Sequence, residues 1–253
     1  MKKNHMKRRL ASGASALGAW AVLGSEATLG AAARLGYDWI LVDCEHGLAS
    51  LEDAIRILPV AAGHEATCIV RVPTANDAGV FKRVLDMGFE GVLVPQIRDA
   101  REVGEVVSAC RYPPVGTRGI AGERAHAYGL EFAEYIERAN DETIVLVQIE
   151  TAEAVENIDE IVAVNGLDGV LIGPNDLSNA LGVPFQLDSD AFVAAAARVR
   201  EAARAVGKPA GIYCSTPAQA RARLDEGFRF VNLCNDQSLV VRGLRHSIEE
   251  MGS

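Results

Sequence analysis

Short apolar runs rich in Val, Ile and Leu recur along the 253-residue chain, separated by longer amphipathic segments. The runs are residues 16–22, 39–43, 68–72, 91–95, 144–150, 169–172, 210–214 and 230–233. Most are apolar at consecutive positions, a pattern expected of strands buried on both faces, and hence of a parallel sheet with helices between its strands. Eight such β/α units close a (β/α)8 barrel, so the pattern predicts that fold for one domain spanning 1–253. Helix signals agree. Ser50-Leu-Glu-Asp53 reads as a capped helix start. Leu35-Gly36, Met87-Gly88 and Glu226-Gly227 each end a helix on a glycine just ahead of a strand. The phrases GYDWILVD, GFEGVLVP, GLDGVLIG and GFRFVNLC therefore share one layout of glycine, turn and strand. One connection is long. Residues 97–143 hold a helix (99–109), a loop (111–119) and a second helix near 130–139, and long loops at the carboxyl ends of barrel strands commonly carry function.

Composition narrows the partners. With 49% hydrophobic and 23% charged residues, well mixed, the chain suits a large core and not bulk disorder. Its net charge of −9 disfavours nucleic acid and anionic membranes and leaves small molecules as the expected partners. The five cysteines (44, 68, 110, 214 and 234) include no CxxC pair, which fits reduced core thiols and a cytoplasmic location. Cys44, between Asp43 and Glu45, is the one candidate nucleophile, and packing is its simpler role. Lys2, Lys3, Lys7, Arg8 and Arg9 precede a mildly apolar stretch that superficially resembles a signal peptide. Ser12, Gly13, Ser15 and Gly18 interrupt it, so residues 16–22 read as the first strand and residues 1–10 as a flexible, frayed basic tail. No apolar run approaches the roughly 18 residues of a membrane span.

The chemistry of such a barrel stands at the carboxyl ends of its strands. Strand two ends in Asp43-Cys-Glu-His46, strand three in Arg71, strand five in Gln148-Ile-Glu150, and strand six in Gly173-Pro-Asn-Asp176. Carboxylates are costly to desolvate unless paired or metal-bound. Each alone has an ordinary reading: Glu150 as a helix-start residue, Asp176 as a turn residue. As a pair leaving adjacent strands they repel, and an oxygen-loving divalent cation such as Mg2+, Mn2+ or Co2+ relieves that repulsion. Arg71 beside such a site suits an anionic 2-oxo acid, with Asp86 or Asp43 as the acid that fixes it. His46, three residues after Asp43, is a candidate proton carrier if that carboxylate accepts from its imidazole. Among the other histidines only His126, in the long loop, could reach the mouth. The five lysines (2, 3, 7, 82 and 208) all fall away from strand carboxyl ends, so no Schiff-base lysine is expected. No glycine-rich phosphate loop appears, which argues against a nucleotide, and Ser215 and Thr216 read as helix caps.

Four segments, GYDWILVDCEHG, RYPPVGTRGIAG, VLVQIETAEAVENI and GLDGVLIGPNDLSNALG, resemble the HpcH/HpaI aldolases, and the likeness runs from about Leu10 to Leu244. These are metal-dependent pyruvate aldolases of 4-hydroxy-2-oxoheptanedioate and 2-dehydro-3-deoxyglucarate. The resemblance implies a (β/α)8 barrel in a homohexamer, a trimer of dimers, with the last helix exchanged between subunits. It implies Glu150 and Asp176 as metal ligands, Arg71 on the 2-oxo group and Gln148 lining the metal site. It further implies Gly173 and Pro174 backbone at the pyruvate carboxylate, and His46 moving protons with Asp43 in support. The implied reaction is reversible cleavage of 4-hydroxy-2-oxo acids to pyruvate and an aldehyde, through a metal-stabilised enolate. Tyr213 and Trp20 are candidate walls of the aldehyde pocket, Trp20 equally an ordinary packing residue. The competing readings are a citramalyl- or malyl-CoA lyase, a phosphoenolpyruvate mutase or isocitrate lyase type, and a non-catalytic barrel. CoA would want a basic groove and the isocitrate lyase type a cysteine-bearing loop, neither of which is evident. A degenerate barrel would be expected to lose some of Glu150, Asp176, Arg71 and His46.

Overall fold

A computed structural model describes residues 2–121 and 124–252; Met1 of the expected tail, Gly122 and Glu123 of the expected long loop, and Ser253 lie outside them. Eight parallel strands close into a barrel in chain order. They are β1 (Ala16–Ala21), β2 (Trp39–Asp43), β3 (Thr67–Arg71), β4 (Gly91–Val94), β5 (Ile144–Ile149), β6 (Gly169–Ile172), β7 (Ala210–Ile212) and β8 (Phe230–Asn235). The helices are α1 (His5–Ala11), α2 (Glu26–Leu35), α3 (Leu51–Ile57), α4 (Ala78–Asp86), α5 (Ala100–Cys110) and α6 (Phe132–Glu142). They continue with α7 (Ala152–Glu156), α8 (Ile158–Ala163), α9 (Pro174–Ala180), α10 (Asp190–Ala205), α11 (Pro217–Asp225) and α12 (Asp236–Glu250). All eight expected strands form, and Ser50 and Asp53 make the expected capping box at α3. No described helix is long and apolar enough to cross a membrane.

The strands bury both faces because each face meets a different partner. Ile40, Val42, Val70, Val92, Val145, Val147 and Val170 pack outward against the helices, while Trp39, Leu41, Ile69, Leu93, Leu146, Leu171 and Phe230 fill the barrel. The interior is tight: a Cβ added at Gly18 would fall 2.0 Å from the Trp39 ring. Glycine is what lets an indole occupy that level of the barrel.

The N-terminal segment corrects the expected frayed tail. Asn4 caps α1 by accepting from Lys7 N, and α1 lies across the bottom of the barrel with Met6 fully buried among the interior residues. Its basic groups find acids at the feet of the strands. Lys2 pairs with Glu90 at 3.3 Å, His5 and Arg9 with Asp38 at 3.0 and 3.2 Å, Lys7 with Asp168 at 2.9 Å, and Arg8 with Glu142 at 2.8 Å. Asp38, Glu90 and Asp168 are the acids of the recurring glycine–turn–strand phrases. Each also accepts a backbone N–H at the start of the preceding strand: Leu17 for Asp38, Cys68 for Glu90 and Val145 for Asp168. Burial of Met6 and the buried hydrogen bonds that Asn4 makes to Glu142 anchor the segment together with these partly buried pairs.

α12 is held differently. Asp236 is its one buried residue, accepting from Val22 N, Leu23 N and Thr28 Oγ1, while Leu239, Val241 and Leu244 face outward.

Met6→Ala should cost about 2–5 kcal/mol in urea unfolding, the range for truncating a buried large side chain. A loss near zero would show that the segment does not plug the barrel.

Candidate active site

The mouth of the barrel gathers the strand-end residues around one guanidinium. Asp43 and Arg71 close β2 and β3 as register partners. Arg71 Nε and Nη2 donate to the two Asp43 oxygens at 2.9 and 2.6 Å, a bidentate pair less than a tenth exposed on either side. Trp20 from β1 donates its Nε1 to Asp43 Oδ2 at 3.1 Å, and the guanidinium carbon stands 5.2 Å from the centre of its ring. Burial works to raise the Asp43 carboxyl, but Arg71, Trp20 and the His46 backbone N–H outweigh it and hold Asp43 below the usual carboxylate range. It is therefore an anion that fixes Arg71.

Two expectations about these neighbours need correction. Asp86 does not reach Arg71; it closes α4 and pairs with Arg118 at 2.6 Å, buried and outside the mouth. Nor does Asp43 accept from the His46 imidazole. It accepts the backbone N–H groups of Glu45 and His46 at 3.1 and 3.2 Å, and its remaining capacity goes to Arg71 and Trp20. The acid beside the largely exposed imidazole is Glu45, whose Oε2 lies 4.0 Å from His46 Nε2. Nothing in the local pattern singles out Glu45, since only the fold brings its carboxylate to Arg71. Its Oε2 also lies 2.8 Å from Arg71 Nη1, an ion pair out of line for a hydrogen bond. Burial raises the Glu45 carboxyl against the pull of Arg71 and His46. Cys44 itself is buried, and burial with Asp43 nearby pushes its thiol up to about 12, which removes it as a nucleophile.

Glu150 stands just past β5, 4% exposed. Its Oε1 accepts from Gln96 N at 2.7 Å, and Gln148 Nε2 donates to its Oε2. Gln96 is a second residue that the sequence did not reveal. Its φ of 55° turns that N–H onto Glu150, a left-handed conformation costing a non-glycine residue about 1–2 kcal/mol. Burial pushes the Glu150 carboxyl up to about 7 despite those donors, and the charges of Glu45 and Asp176 add to the push. Asp176, exposed in the first turn of α9, thus faces the same space.

The donor set fits a divalent cation. Two carboxylates repel across the mouth, Gln148 Oε1 is buried with no hydrogen-bond partner, and the turn between them has no Cβ. A Cβ at Gly173 would fall 2.6 Å from both Gln148 Nε2 and Glu150 Oε2. Among the described residues no cluster of three or more His, Cys, Asp or Glu forms a ready-made ligand cage. Two carboxylates with substrate and water oxygens suit a hard cation such as Mg2+ or Mn2+.

The mouth opens into a cavity of about 250 Å3 whose lining includes Asp43, His46, Arg71, Gln148, Gly173, Pro174 and Asp176. Trp20 and Tyr213 line it too, edge to face at 5.2 Å, as do Asn175, Asn235 and Gln237. His126 is not part of it: it is 2% exposed and packs against Phe132 and Tyr135. Lys208 lies at the far end, donating to the carbonyls of Val162 and Val164, and Thr216 caps α11 as expected.

The HpcH/HpaI aldolase/citrate lyase family model matches residues 16–243. A hydroxypyruvate/pyruvate aldolase of Sagittula stellata is 37% identical over 241 residues, covering 95% of this chain and 94% of its own. A 2-keto-3-deoxy-L-rhamnonate aldolase of Klebsiella pneumoniae is 38% identical over 247 residues, covering 95% and 90%. The crystal structure of an HpcH/HpaI aldolase/citrate lyase family protein from Burkholderia cenocepacia superposes with a TM-score of 0.94 at 32% identity, over 99% of this chain and 100% of that one.

Glu150 holds its proton more tightly folded than unfolded, so without metal its contribution to stability is complete below about pH 4.5 and is lost as pH rises through about 7. In EDTA the wild type should therefore lose melting temperature between pH 5 and 8 more steeply than Glu150→Gln, which mimics the protonated acid. Superimposable profiles for the two proteins would contradict the raised pKa.

Proposed function

This chain belongs to the HpcH/HpaI aldolase/citrate lyase family, and from that premise we propose that it is a divalent-metal-dependent pyruvate aldolase that reversibly cleaves 4-hydroxy-2-oxo acids to pyruvate and an aldehyde. That it is an aldolase follows from its family and its named relatives. The metal and the residue roles rest on one observation: Glu150 is buried, forced up to about 7, and crowded by Asp176 and Glu45 at the mouth that holds Arg71.

A divalent ion held by Glu150 and Asp176 would supply positive charge at the carboxylate and 2-oxo oxygens of pyruvate. The chain's own groups do the rest. Asp43 and Glu45 hold Arg71 so that the free N–H bonds of its terminal nitrogens meet the 2-oxo oxygen, where negative charge gathers as the C3–C4 bond breaks. His46 Nε2 takes the proton from the 4-hydroxyl through water during cleavage and returns it during condensation. The released aldehyde leaves its bonding electrons with C3, and the proton that His46 took from the hydroxyl passes through water to that carbon and makes the methyl group of pyruvate. One role shifts from the expectation. Gly173 N already donates to Ile149 O, and Pro174 has no N–H, so the pyruvate carboxylate at this turn would meet the N–H groups of Asn175 and Asp176. The outward apolar row of α12 favours a homohexamer in which that helix packs on a neighbouring subunit.

Pyruvate release from a panel of 4-hydroxy-2-oxo acids should vanish in EDTA and return with Mn2+ or Mg2+. Arg71→Lys should lower kcat by roughly 10²–10³, the cost of losing one charge-stabilising donor. Full turnover in EDTA, or a Glu150→Ala protein that keeps both metal affinity and activity, would rule the mechanism out.

A further inference from the structure

The cavity has two unlike halves, and one of them is chemically neutral. Beside the charged half lie Tyr213, Asn235, Asn175 and Gln237, with Trp20 between. Tyr213 follows β7, and its hydroxyl oxygen accepts from Asn235 Nδ2 at 2.7 Å. Asn235 is itself fixed, because its Oδ1 accepts from Ser238 N at the start of α12. One lone pair of the phenol is thereby committed, which turns its O–H away from Asn235. Among the described residues no acceptor receives that O–H. Trp20 packs against the ring edge to face, 5.2 Å between ring centres, and backs one side of it. Asn175 and Gln237 are exposed, and neither side-chain amide has a partner among the described residues.

The neutral half has little to offer an anion. The guanidinium lining the cavity is Arg71, bonded to Asp43 and paired with Glu45, and the carboxylates of Asp43 and Asp176 line the same space. A distal carboxylate, sulfonate or phosphate on the aldehyde would find no uncommitted lysine or arginine among the described residues that line this cavity. A purely aliphatic tail would strip water from the Tyr213 hydroxyl and return no hydrogen bond, leaving that donor unsatisfied. A hydroxyl on the carbon next to the aldehyde satisfies both conditions, because it accepts from Tyr213 and donates to an amide oxygen.

We propose that Tyr213, pinned by Asn235, makes this enzyme selective for small, neutral, hydroxylated aldehydes. The inference rests on the aldolase reading above and specifies its second substrate. Tyr213 acts as a hydrogen-bond donor and not as the proton source, since burial raises its phenol above the ordinary value despite the bond from Asn235.

Metal-loaded enzyme should be assayed for addition of pyruvate to glycolaldehyde, to propanal (the same shape with methyl in place of hydroxyl) and to succinic semialdehyde. Glycolaldehyde should exceed both in kcat/KM by about tenfold or more. In Tyr213→Phe the ratio of glycolaldehyde to propanal should fall to about 1–2, whereas a merely structural role would depress both alike and leave the ratio unchanged. Exchange of the pyruvate methyl protons in D2O, followed by NMR on the wild type without any aldehyde, separates the two claims. Normal exchange together with equal or better use of propanal or succinic semialdehyde overturns this inference alone. Absent exchange overturns the aldolase reading and this inference with it. Should Tyr213→Phe fail to fold, the wild-type ratios still decide the matter.

Discussion

The mouth of the barrel carries more negative charge than its own side chains can neutralise. Asp43, Glu45, Glu150 and Asp176 share one guanidinium, and Asp43 holds it in a bidentate grip. Two unit charges 4 Å apart in a partly buried setting interact by about 4 kcal/mol, so a surplus of acids must protonate, spread apart or bind a cation. The barrel removes the second option, because β2, β3, β5 and β6 fix where the side chains leave the sheet. Glu150 takes the first option, its carboxyl raised to about 7. Binding a divalent ion is the third, and it would return the same carboxyl to its charged form.

The opposite end of the molecule solves the same problem with its own residues. Asp38, Glu90, Glu142 and Asp168 cluster at the feet of the strands, and the N-terminal segment brings a cation to each. There Asp38, Glu90 and Asp168 also accept strand-start N–H groups and Glu142 accepts from Asn4 N, although burial still raises the Glu90 carboxyl, whose Oε1 has no hydrogen-bond partner among the described residues. Acids therefore stand at both ends of the barrel, each with its own cation at the bottom and four around one guanidinium at the mouth. On the proposed reading this electrostatic difference accompanies the fold's general division between a stabilising bottom and a reactive top.

How much of this was legible in the sequence depends on whether the residues speak through local pattern. All eight strands follow from mostly apolar runs, because burial on both faces leaves little freedom in composition. Asp43, Arg71, Gln148 and Asp176 were found because each sits at or just past a strand end, and the structure places them around one cavity. Glu150 has its carboxyl in the same electrostatic cluster. Pairings between distant elements were not legible. Nothing local says that Asp86 answers Arg118 across 32 residues, or that five basic residues will meet acids up to 161 positions away. Asp43 and His46 have the spacing of a catalytic pair, but the turn after β2 directs the His46 backbone, not its ring, to the carboxylate. Gln96 escaped because it contributes a backbone N–H through a left-handed turn, which its side-chain type does not advertise.

Trp20 joins the two halves of the mouth. Its indole N–H holds Asp43, its face lies beneath Arg71, and Tyr213 packs against it edge to face. The group that orients the charged half is therefore the group that walls the neutral half. On the proposed reading, a change in the neutral wall that moved Trp20 would loosen Asp43 and let Arg71 shift, so pyruvate handling would suffer alongside aldehyde choice. Selectivity can instead vary cheaply at positions such as Asn175 and Gln237, which line the cavity, are exposed and have no side-chain hydrogen-bond partners among the described residues. The barrel thus separates what must stay rigid from what is free to change, and Trp20 marks the boundary.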